Sequence, residues 1–412
     1  MFAPLLVALQ SPLDAILNDP KLEGASVAAI VTDLEGKVLY EKNSNLRVVP
    51  ASNQKLLSNA FALHTLGPTF RPETRIWKLV DRTVIETMGD PLLSHSILLE
   101  AKSRLKLNRL LPVHVKQAYA PGIPDTWEVD DLPNKYAAPV TALTVDRGSF
   151  ELWNVLGQPR FRPESYGTRV ERAPGDQLRV SYDPFQRKVR IEGKLPVIAR
   201  EARLDTLAIP RPDEAVAKLL GSRLVNTDRV PTRNPDLIIL GSPTPEMLRA
   251  CLPPSDNNVA EHLLLMSANA MGSLSNRPYV EARERLGAFL TGTVGIRRED
   301  IRIYDGSGMS RHNLVTTRAV AQLLAWQNKQ PNAGIWRAAL ARPGAGTLAS
   351  RLSGVFFEGK TGTLDLVVAL SGYVRARDGS DRIVSVILNH FGGSSTDARN
   401  LADAFVRQVS SS

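Results

Sequence analysis

Three short polar strings, far apart in the chain, constrain the fold of these 412 residues more than any other feature. In chain order they are Ser52-Asn53-Gln54-Lys55, Ser255-Asp256-Asn257 and Lys360-Thr361-Gly362. Each string alone is common in proteins. Together they supply a nucleophile, a base, a proton relay and a cation that can bind a carboxylate. A fold that uses them must bring three distant segments around one pocket.

The first string predicts an activated serine. Ser52 and Lys55 are three residues apart at the predicted start of a helix, so they share one face. A serine hydroxyl is a poor nucleophile until a neighbour takes its proton. A lysine can take it if burial and a nearby positive charge, such as that of Lys360, lower its pKa. The alternative for Ser52 is a simple helix N-cap.

A second segment has the same four-residue pattern. Ser103-Arg104-Leu105-Lys106 also places a serine three residues before a lysine. It lies late in a polar amphipathic stretch rather than before an apolar helix. We therefore prefer Ser52 as the nucleophile.

The second string predicts a rigid turn. Ser255 follows two prolines and precedes a helical run, so its hydroxyl and the amide of Asn257 could both point toward a cleft. We expect Ser255 to pass a proton to the leaving amine and Asn257 to bond the substrate amide. For Ser255 the alternative is again an N-cap.

The third string leads directly into an apolar, partly β-branched run. At an exposed strand edge, its backbone could bind an extended peptide by strand addition. Lys360 and the hydroxyls of Thr361 and Thr363 would bind a terminal carboxylate, and Gly362 would allow close approach. The N–H groups of Ser52 and Thr363 could form an oxyanion hole. The set predicts acyl transfer on peptides that end in a free carboxylate.

Other chemistries are poorly supported. Residues 354–361 satisfy the phosphate-loop pattern, but their interior is bulky and a strand rather than a helix is predicted to follow. No cluster of histidines or cysteines indicates a metal site, so we expect no cofactor. Net charge alone does not indicate nucleic-acid binding, and no nucleic-acid partner is expected. Cys251 is the one cysteine, which excludes an intramolecular disulfide, and we interpret it as a small buried residue.

The net charge of +9 has two interpretations. Residues 160–203 contain eleven Lys/Arg and six Asp/Glu, which indicates a solvated β surface or, as the alternative, a docking face for an anionic partner. No later stretch is long enough to span a bilayer. The apolar residues 1–10 are interpreted either as a trimmed export signal or as the lead-in to the first helix.

Periodicity predicts a mixed chain with two domains. Helical spacing of apolar residues is expected at 12–17, from 50, at 212–220, after 259 and at 396–409. A hairpin is expected from the β-rich run at 26–33 and its return at 37–40, a second hairpin from the period-two runs at 178–182 and 188–192, and strands at 366–374 and 383–388. From about residue 74 to residue 203 the apolar runs are shorter, and proline and turn residues are more frequent. We predict a catalytic domain made of residues 1–73 and 204–412, and a β-rich inserted domain at 74–203.

The chain resembles the low-molecular-mass penicillin-binding proteins of the D-alanyl-D-alanine carboxypeptidase/endopeptidase type. The matching segments span most of the chain in family order. They are residues 49–57, 89–91, 136–143, 305–313, 346–348, 360–364 and 370–373.

The resemblance implies a fold of the α/β (α+β) class, the transpeptidase fold of penicillin-binding proteins and β-lactamases. In it an antiparallel sheet is flanked by helices and interrupted by an insert. It also implies bacterial peptidoglycan stem peptides as substrates, acylation of Ser52 with release of the terminal D-alanine, and acylation by β-lactams. The family is exported, so a periplasmic or otherwise extracytoplasmic location is expected. Whether D,D cross-links are also cut, and the oligomeric state, stay open.

By the same resemblance, Asp131 and Tyr136 in the insert, with Arg311, would line a pocket for the substrate side chain. Asp131 suits an ammonium and Arg311 a carboxylate, as a diaminopimelate end requires. The alternative for Asp131 and Arg311 is a surface ion pair. Two other functions are considered: a catalytically silent peptidoglycan-binding protein, and a serine β-lactamase, for which no water-activating glutamate is identified.

Overall fold

A computed structural model describes residues 12–198 and 200–412 of the chain. The chain divides into two compact units. Unit 1 comprises Met1–Phe70, Thr244–Met271 and Tyr279–Ser412, and unit 2 comprises Arg71–Pro243 and Gly272–Pro278. Residues 1–10, with their two interpretations, lie outside the described range.

The elements alternate between helices and strands in a mixed pattern. The helices are α1 (described at residues 12–17), α2 (Gln54–Leu66), α3 (His95–Leu105), α4 (Pro212–Leu220), α5 (Thr244–Cys251), α6 (Asn257–Ala270), α7 (Pro278–Ala288), α8 (Thr317–Asn328), α9 (Ala333–Ala339) and α10 (Ser395–Ser410). The strands are β1 (Ser26–Asp33), β2 (Val38–Lys42), β3 (Glu73–Lys78), β4 (Thr83–Thr87), β5 (Val113–Gln117), β6 (Ser149–Val155), β7 (Gln158–Arg162), β8 (Arg169–Ala173), β9 (Arg179–Asp183), β10 (Lys188–Glu192), β11 (Ala202–Ala208), β12 (Leu224–Asn226), β13 (Leu237–Leu240), β14 (Ile301–Arg302), β15 (Leu314–Val315), β16 (Phe357–Leu364), β17 (Val367–Arg375) and β18 (Asp381–Asn389).

Unit 1 is built on a five-stranded antiparallel sheet in the order β16-β17-β18-β1-β2. Alternate residues of a strand face opposite sides. On one side, Val368 and Leu370 of β17 pack in a core that includes Phe405 of α10. On the other, Ser371 accepts a hydrogen bond at 2.7 Å from Asn53, just before α2. The predicted fold class, an antiparallel sheet flanked by helices, is confirmed.

Unit 2 contains strands β3–β13 and helices α3 and α4. Its strands form a mixed sheet in the order β12-β5-β4-β3-β13 and two three-stranded sheets, β8-β10-β9 and β11-β6-β7. The predicted boundary at 203/204 does not coincide with this division. Residues 204–243 lie in unit 2 because β11 pairs with β6 and β13 pairs with β3.

The basic strands of unit 2 carry paired charges. Their ion pairs join arginines and lysines to glutamates on neighbouring strands and segments: Arg162–Glu201 at 2.6 Å, Lys188–Glu171 at 3.1 Å and Arg203–Glu151 at 2.8 Å. This pairing favours the interpretation as a solvated β surface. Among the described residues, no helix combines the length and apolar character needed to cross a membrane.

Candidate active site

The chain reaches Ser52 through a turn with unusual backbone. Ala51 has φ of 46°, in the left-handed region that residues other than glycine seldom adopt. Gly308 packs directly against this turn, since a Cβ there would lie 1.9 Å from the carbonyl oxygen of Ala51. The turn Ala51–Asn53 then leads into α2, and no side chain caps either element. The N-cap alternative for Ser52 is therefore wrong.

Lys55 lies one turn further along and is fully buried. Its Nζ donates to Ser52 Oγ at 2.9 Å, to Asn257 Oδ1 at 2.6 Å and to the carbonyl oxygen of Ser307 at 2.7 Å. An ammonium has three donors, so these acceptors satisfy all of them. The amine is thus fixed beside the hydroxyl that it would have to deprotonate.

A buried acidic pair supports the Ser307 carbonyl, and sequence reasoning missed it. Glu261 accepts from the N–H groups of Gly306 and Ser307 at 3.0 and 2.7 Å, and Asp305 accepts from that of Gly308 at 2.8 Å. A signal for Glu261 was available, because it follows Asn257 by four residues and so shares its face of α6. Burial, and next the nearby Asp305, raise the pKa of Glu261.

Ser255 lies in the turn between α5 and α6, with φ of 63°. The side chain that caps α6 is Asp256, which accepts from the Val259 N–H at 3.0 Å. The N-cap alternative for Ser255 is therefore wrong. Its hydroxyl instead accepts a hydrogen bond at 2.8 Å from Nζ of Lys360.

Lys360, Thr361 and Gly362 lie in β16, the terminal strand of the sheet. Thr361 donates to the hydroxyl of Thr347 at 2.7 Å, a residue of the matching segment 346–348 for which no site role was predicted. A Cβ at Gly362 would lie 3.1 Å from the Ser52 nitrogen, so the strand passes close to the turn that carries Ser52. The side chain of Thr363 is exposed. Three of the predicted segments thus meet in unit 1.

Burial is the main cause of the lowered pKa of both lysines, Lys55 and Lys360. It lowers the pKa of Lys55, although the surrounding acidic groups oppose the shift. The pKa of Lys360 is lowered well below its ordinary value by burial and, next, by the positive charge of Lys55. A buried amine gains little from a proton, because the charged form loses its hydration. Both side chains are therefore suited to exchanging protons with neighbouring hydroxyls.

With this geometry established, the chain matches the D-Ala-D-Ala carboxypeptidase 3 (S13) family over residues 9–411. It belongs to that family. The S13 chain is therefore a serine-type D-Ala-D-Ala carboxypeptidase, a hydrolase, as the sequence predicts.

Relatives of this S13 protein agree over most of its length. It is 29% identical over 457 aligned residues to a D-alanyl-D-alanine carboxypeptidase of Actinomadura sp. strain R39, covering 94% of this chain and 82% of the relative. It is 24% identical to D-alanyl-D-alanine carboxypeptidase DacB of Haemophilus influenzae, covering 78% and 76%. The crystal structure of penicillin binding protein 4 from H. influenzae matches with a TM-score of 0.78 at 20% identity, covering 96% and 97%, which shows a shared fold.

The remaining predicted binding residues of the S13 protein lie in different units. In unit 2, the hydroxyl of Tyr136 donates to Asp131 Oδ1 at 2.9 Å. In unit 1, the exposed Arg311 donates to the carbonyl oxygen of Asp365 at 2.9 Å. A joint role for these three residues in binding the substrate side chain stays a prediction.

Two alternative chemistries do not fit the S13 fold. Residues 357–361 lie inside β16, and β17 follows, so the phosphate-loop pattern has neither its loop nor its helix. Cys251 is fully buried, and burial raises the pKa of its thiol to about 12, so it stays neutral. Within the described range, no group of three or more histidine, cysteine or acidic side chains could hold a metal ion.

Proposed function

We propose that Ser52 is the nucleophile and Lys55 its base in cleavage of the terminal D-alanyl-D-alanine bond of peptidoglycan stem peptides. The observation that carries the proposal is the 2.9 Å hydrogen bond between Lys55 Nζ and Ser52 Oγ, formed by a fully buried amine. Neutral Lys55 takes the hydroxyl proton as Ser52 attacks the peptide carbonyl.

The intermediate then carries a negative oxygen. The N–H groups of Ser52 and Thr363 bind it, and one such donor lowers the barrier by about 3 kcal/mol. Asn257 bonds the substrate amide. Ser255 passes a proton to the leaving amine of D-alanine, and Lys360 supplies that proton through its 2.8 Å contact with Ser255 Oγ. Water then hydrolyses the Ser52 ester.

Substrate binding uses the edge of β16. The extended peptide adds beside Thr361–Thr363 by strand pairing, and Gly362 leaves room for its backbone. The terminal carboxylate lies near Lys360 and the hydroxyls of Thr361 and Thr363. An arriving carboxylate favours the charged form of a lysine, so binding raises the lowered pKa of Lys360.

β-Lactams acylate the same serine in this proposal, because the carbonyl group of the strained lactam ring would take the position of the peptide carbonyl beside Ser52 Oγ. A crystal structure of the H. influenzae penicillin binding protein 4 in complex with a novel β-lactam matches this chain with a TM-score of 0.72. Since stem peptides lie in the cell wall, the enzyme acts outside the cytoplasmic membrane.

Covalent labelling with a fluorescent penicillin tests the nucleophile. We expect the intact protein to label and Ser52→Ala not to label. Ser103→Ala is the matched control, since Ser103 begins a segment of the same pattern but is exposed on α3. Equal labelling of Ser52→Ala and the intact protein would reject Ser52 as the nucleophile.

Two further assays define the reaction. A long-lived penicillin adduct is expected of a peptidase, whereas rapid release of hydrolysed penicillin would indicate a β-lactamase. Incubation with monomeric and cross-linked muropeptides separates release of D-alanine from cutting of cross-links. Absence of any product from either substrate would count against peptidase activity.

A further inference from the structure

Four arginines line one cavity of about 330 Å³ in unit 1. They come from separate segments: Arg47 precedes the turn that carries Ser52, Arg283 lies in α7, Arg298 begins a short turn and Arg302 lies in β14. Tyr304 and a single acidic side chain, Glu284, also line the cavity. Positive side chains therefore outnumber negative ones by three.

The four guanidinium groups form no ion pairs with carboxylates among the described residues. Their neighbours in the sequence differ, since Arg297 pairs with Asp300 at 2.8 Å and Arg285 pairs with Glu281 at 3.4 Å. Like charges gathered without counter-charges repel one another, and an anion in the cavity would relieve that repulsion.

Tyr304 orients two of the arginines. The guanidinium carbons of Arg283 and Arg302 lie 5.2 and 5.1 Å from the centre of its ring, within the range of cation–π attraction. Arg302 also donates to the Tyr304 hydroxyl at 2.6 Å. Contact with a ring uses the face of a guanidinium and leaves most of its N–H groups for a ligand.

We propose that this cavity binds a phosphate group. A phosphodiester, like a carboxylate, has one charge, and arginine matches the geometry of its oxygens with paired hydrogen bonds. The oxygens of a carboxylate lie in one plane, whereas those of a phosphate are arranged tetrahedrally, so guanidinium groups from separate segments can reach them together. The volume is at the lower end of ligand pockets, which suits a phosphate with one adjoining polyol or sugar unit. Ser52, Lys55, Ser255 and Lys360 do not line the cavity.

Phosphate of this kind has two sources, a soluble polyol phosphate polymer or the headgroup of an anionic phospholipid. Three probes distinguish them: a glycerol phosphate oligomer, vesicles of phosphatidylglycerol against vesicles of phosphatidylcholine alone, and polyglutamate as a carboxylate polymer. Binding of the oligomer assigns a soluble polymer, and binding only of phosphatidylglycerol vesicles assigns a headgroup. Polyglutamate binding as tight as that of either phosphate probe would overturn the proposal.

Variants separate the cavity from the overall charge. In the double variant Arg283→Gln/Arg302→Gln, we expect the dissociation constant for the phosphate probe to rise by about tenfold or more. Arg160→Gln/Arg179→Gln removes the same charge from exposed positions on unit 2 and should have a much smaller effect. Equal loss in both variants would show that only net charge matters and would overturn the site.

Two readouts keep the test independent of folding and of the peptidase assignment. Labelling by penicillin should be unchanged in the double variant, which shows an intact fold and a separate reaction centre. If that variant does not fold, the intact protein is treated with phenylglyoxal, which modifies exposed arginines. The phosphate probe should protect Arg283 and Arg302, and equal modification with and without the probe would refute the proposal.

Discussion

The carbonyl oxygen of Ser307 lies 2.7 Å from Nζ of Lys55 and accepts one of its three hydrogen bonds. That carbonyl belongs to a segment held by Glu261, whose carboxylate accepts from the N–H groups of Gly306 and Ser307. Glu261 does not touch Ser52 Oγ, so we treat it as a positioning residue. Removal of the Glu261 carboxylate should change the acylation rate by altering the position and the pKa of Lys55.

Glu261→Gln should slow acylation by about tenfold above about pH 8, where Glu261 is ionised, because one hydrogen bond to a charged group is worth about 1.5 kcal/mol. In that pH range the negative charge of Glu261 also raises the pKa of Lys55. Without that charge, Lys55 loses its proton more easily. The pH below which the acylation rate falls, the acidic limb of the pH–rate profile, should therefore move to a lower value. Penicillin acylation rates measured across pH test both effects.

Glu246→Gln is the matched control for this change, since Glu246 is exposed on α5. It should alter neither the rate nor the limb. A slower rate with an unmoved limb in Glu261→Gln would indicate a structural role alone.

Acylation of the intact protein should depend on pH through Lys55. Burial lowers the pKa of this amine below 10.5, its ordinary value. Only the neutral amine accepts a proton, so the rate should fall as the pH drops through the lowered pKa. The measurement is the second-order rate constant for penicillin labelling. A limb centred at or above the ordinary lysine value would contradict a buried base.

Gly362→Ala should disrupt the turn that carries Ser52. The added Cβ would lie 2.8 Å from the carbonyl oxygen of Pro50 and 3.1 Å from the Ser52 nitrogen. A shift of the turn by about 1 Å would misalign Ser52, the proposed nucleophile, and can cost about 100-fold in rate. Gly392→Ala is the control, because a Cβ there meets nothing within 4 Å. Similar acylation rates in both variants would show that the turn tolerates the methyl group.

Arg337 should stabilise unit 1. It donates to Glu358 at 2.6 Å and to Asp381 at 2.8 Å, and both carboxylates are mostly buried. Arg337→Met should lower the free energy of unfolding by about 2 kcal/mol, less than the 3–5 kcal/mol of an isolated buried pair. The loss is smaller because Arg342 still pairs with Glu358 and Arg375 with Asp381.

Urea denaturation measures this change. Lys21→Met removes an exposed ion pair with Asp397 and should leave the unfolding free energy almost unaltered. An equal effect of the two substitutions would mean that burial does not set the strength of these pairs.

The part of the site that side-chain chemistry encodes was predictable. Ser52 and Lys55 are separated by one helical turn, and the strings at Ser255 and Lys360 have recognisable residue types. The sheet was predictable too, since a β-rich run and the turn after it mark β1 and β2, and apolar runs mark β17 and β18. These signals are local, and so a single sequence carries them.

Contacts made by the backbone were not predictable. The carbonyl oxygen of Ser307 is chemically identical to any other, and only tertiary packing places it beside Lys55. The same holds for the left-handed backbone of Ala51, which the close approach of Gly308 accompanies. The predicted end of the insert, at residue 203, differs from the unit division because the pairing of β13 with β3, which places β13 in unit 2, has no local sequence signal.

The three partners of the Lys55 amine lie at positions 52, 257 and 307, so they leave the ribosome far apart in time. In a nascent or truncated polypeptide that ends before residue 307, the Lys55 amine beside Ser52 lacks one of its three hydrogen-bond acceptors. Acylation by a β-lactam would then begin only after these segments have been synthesised and have folded together. A labelled β-lactam added during refolding would therefore report the time at which the Ser307 segment reaches Lys55.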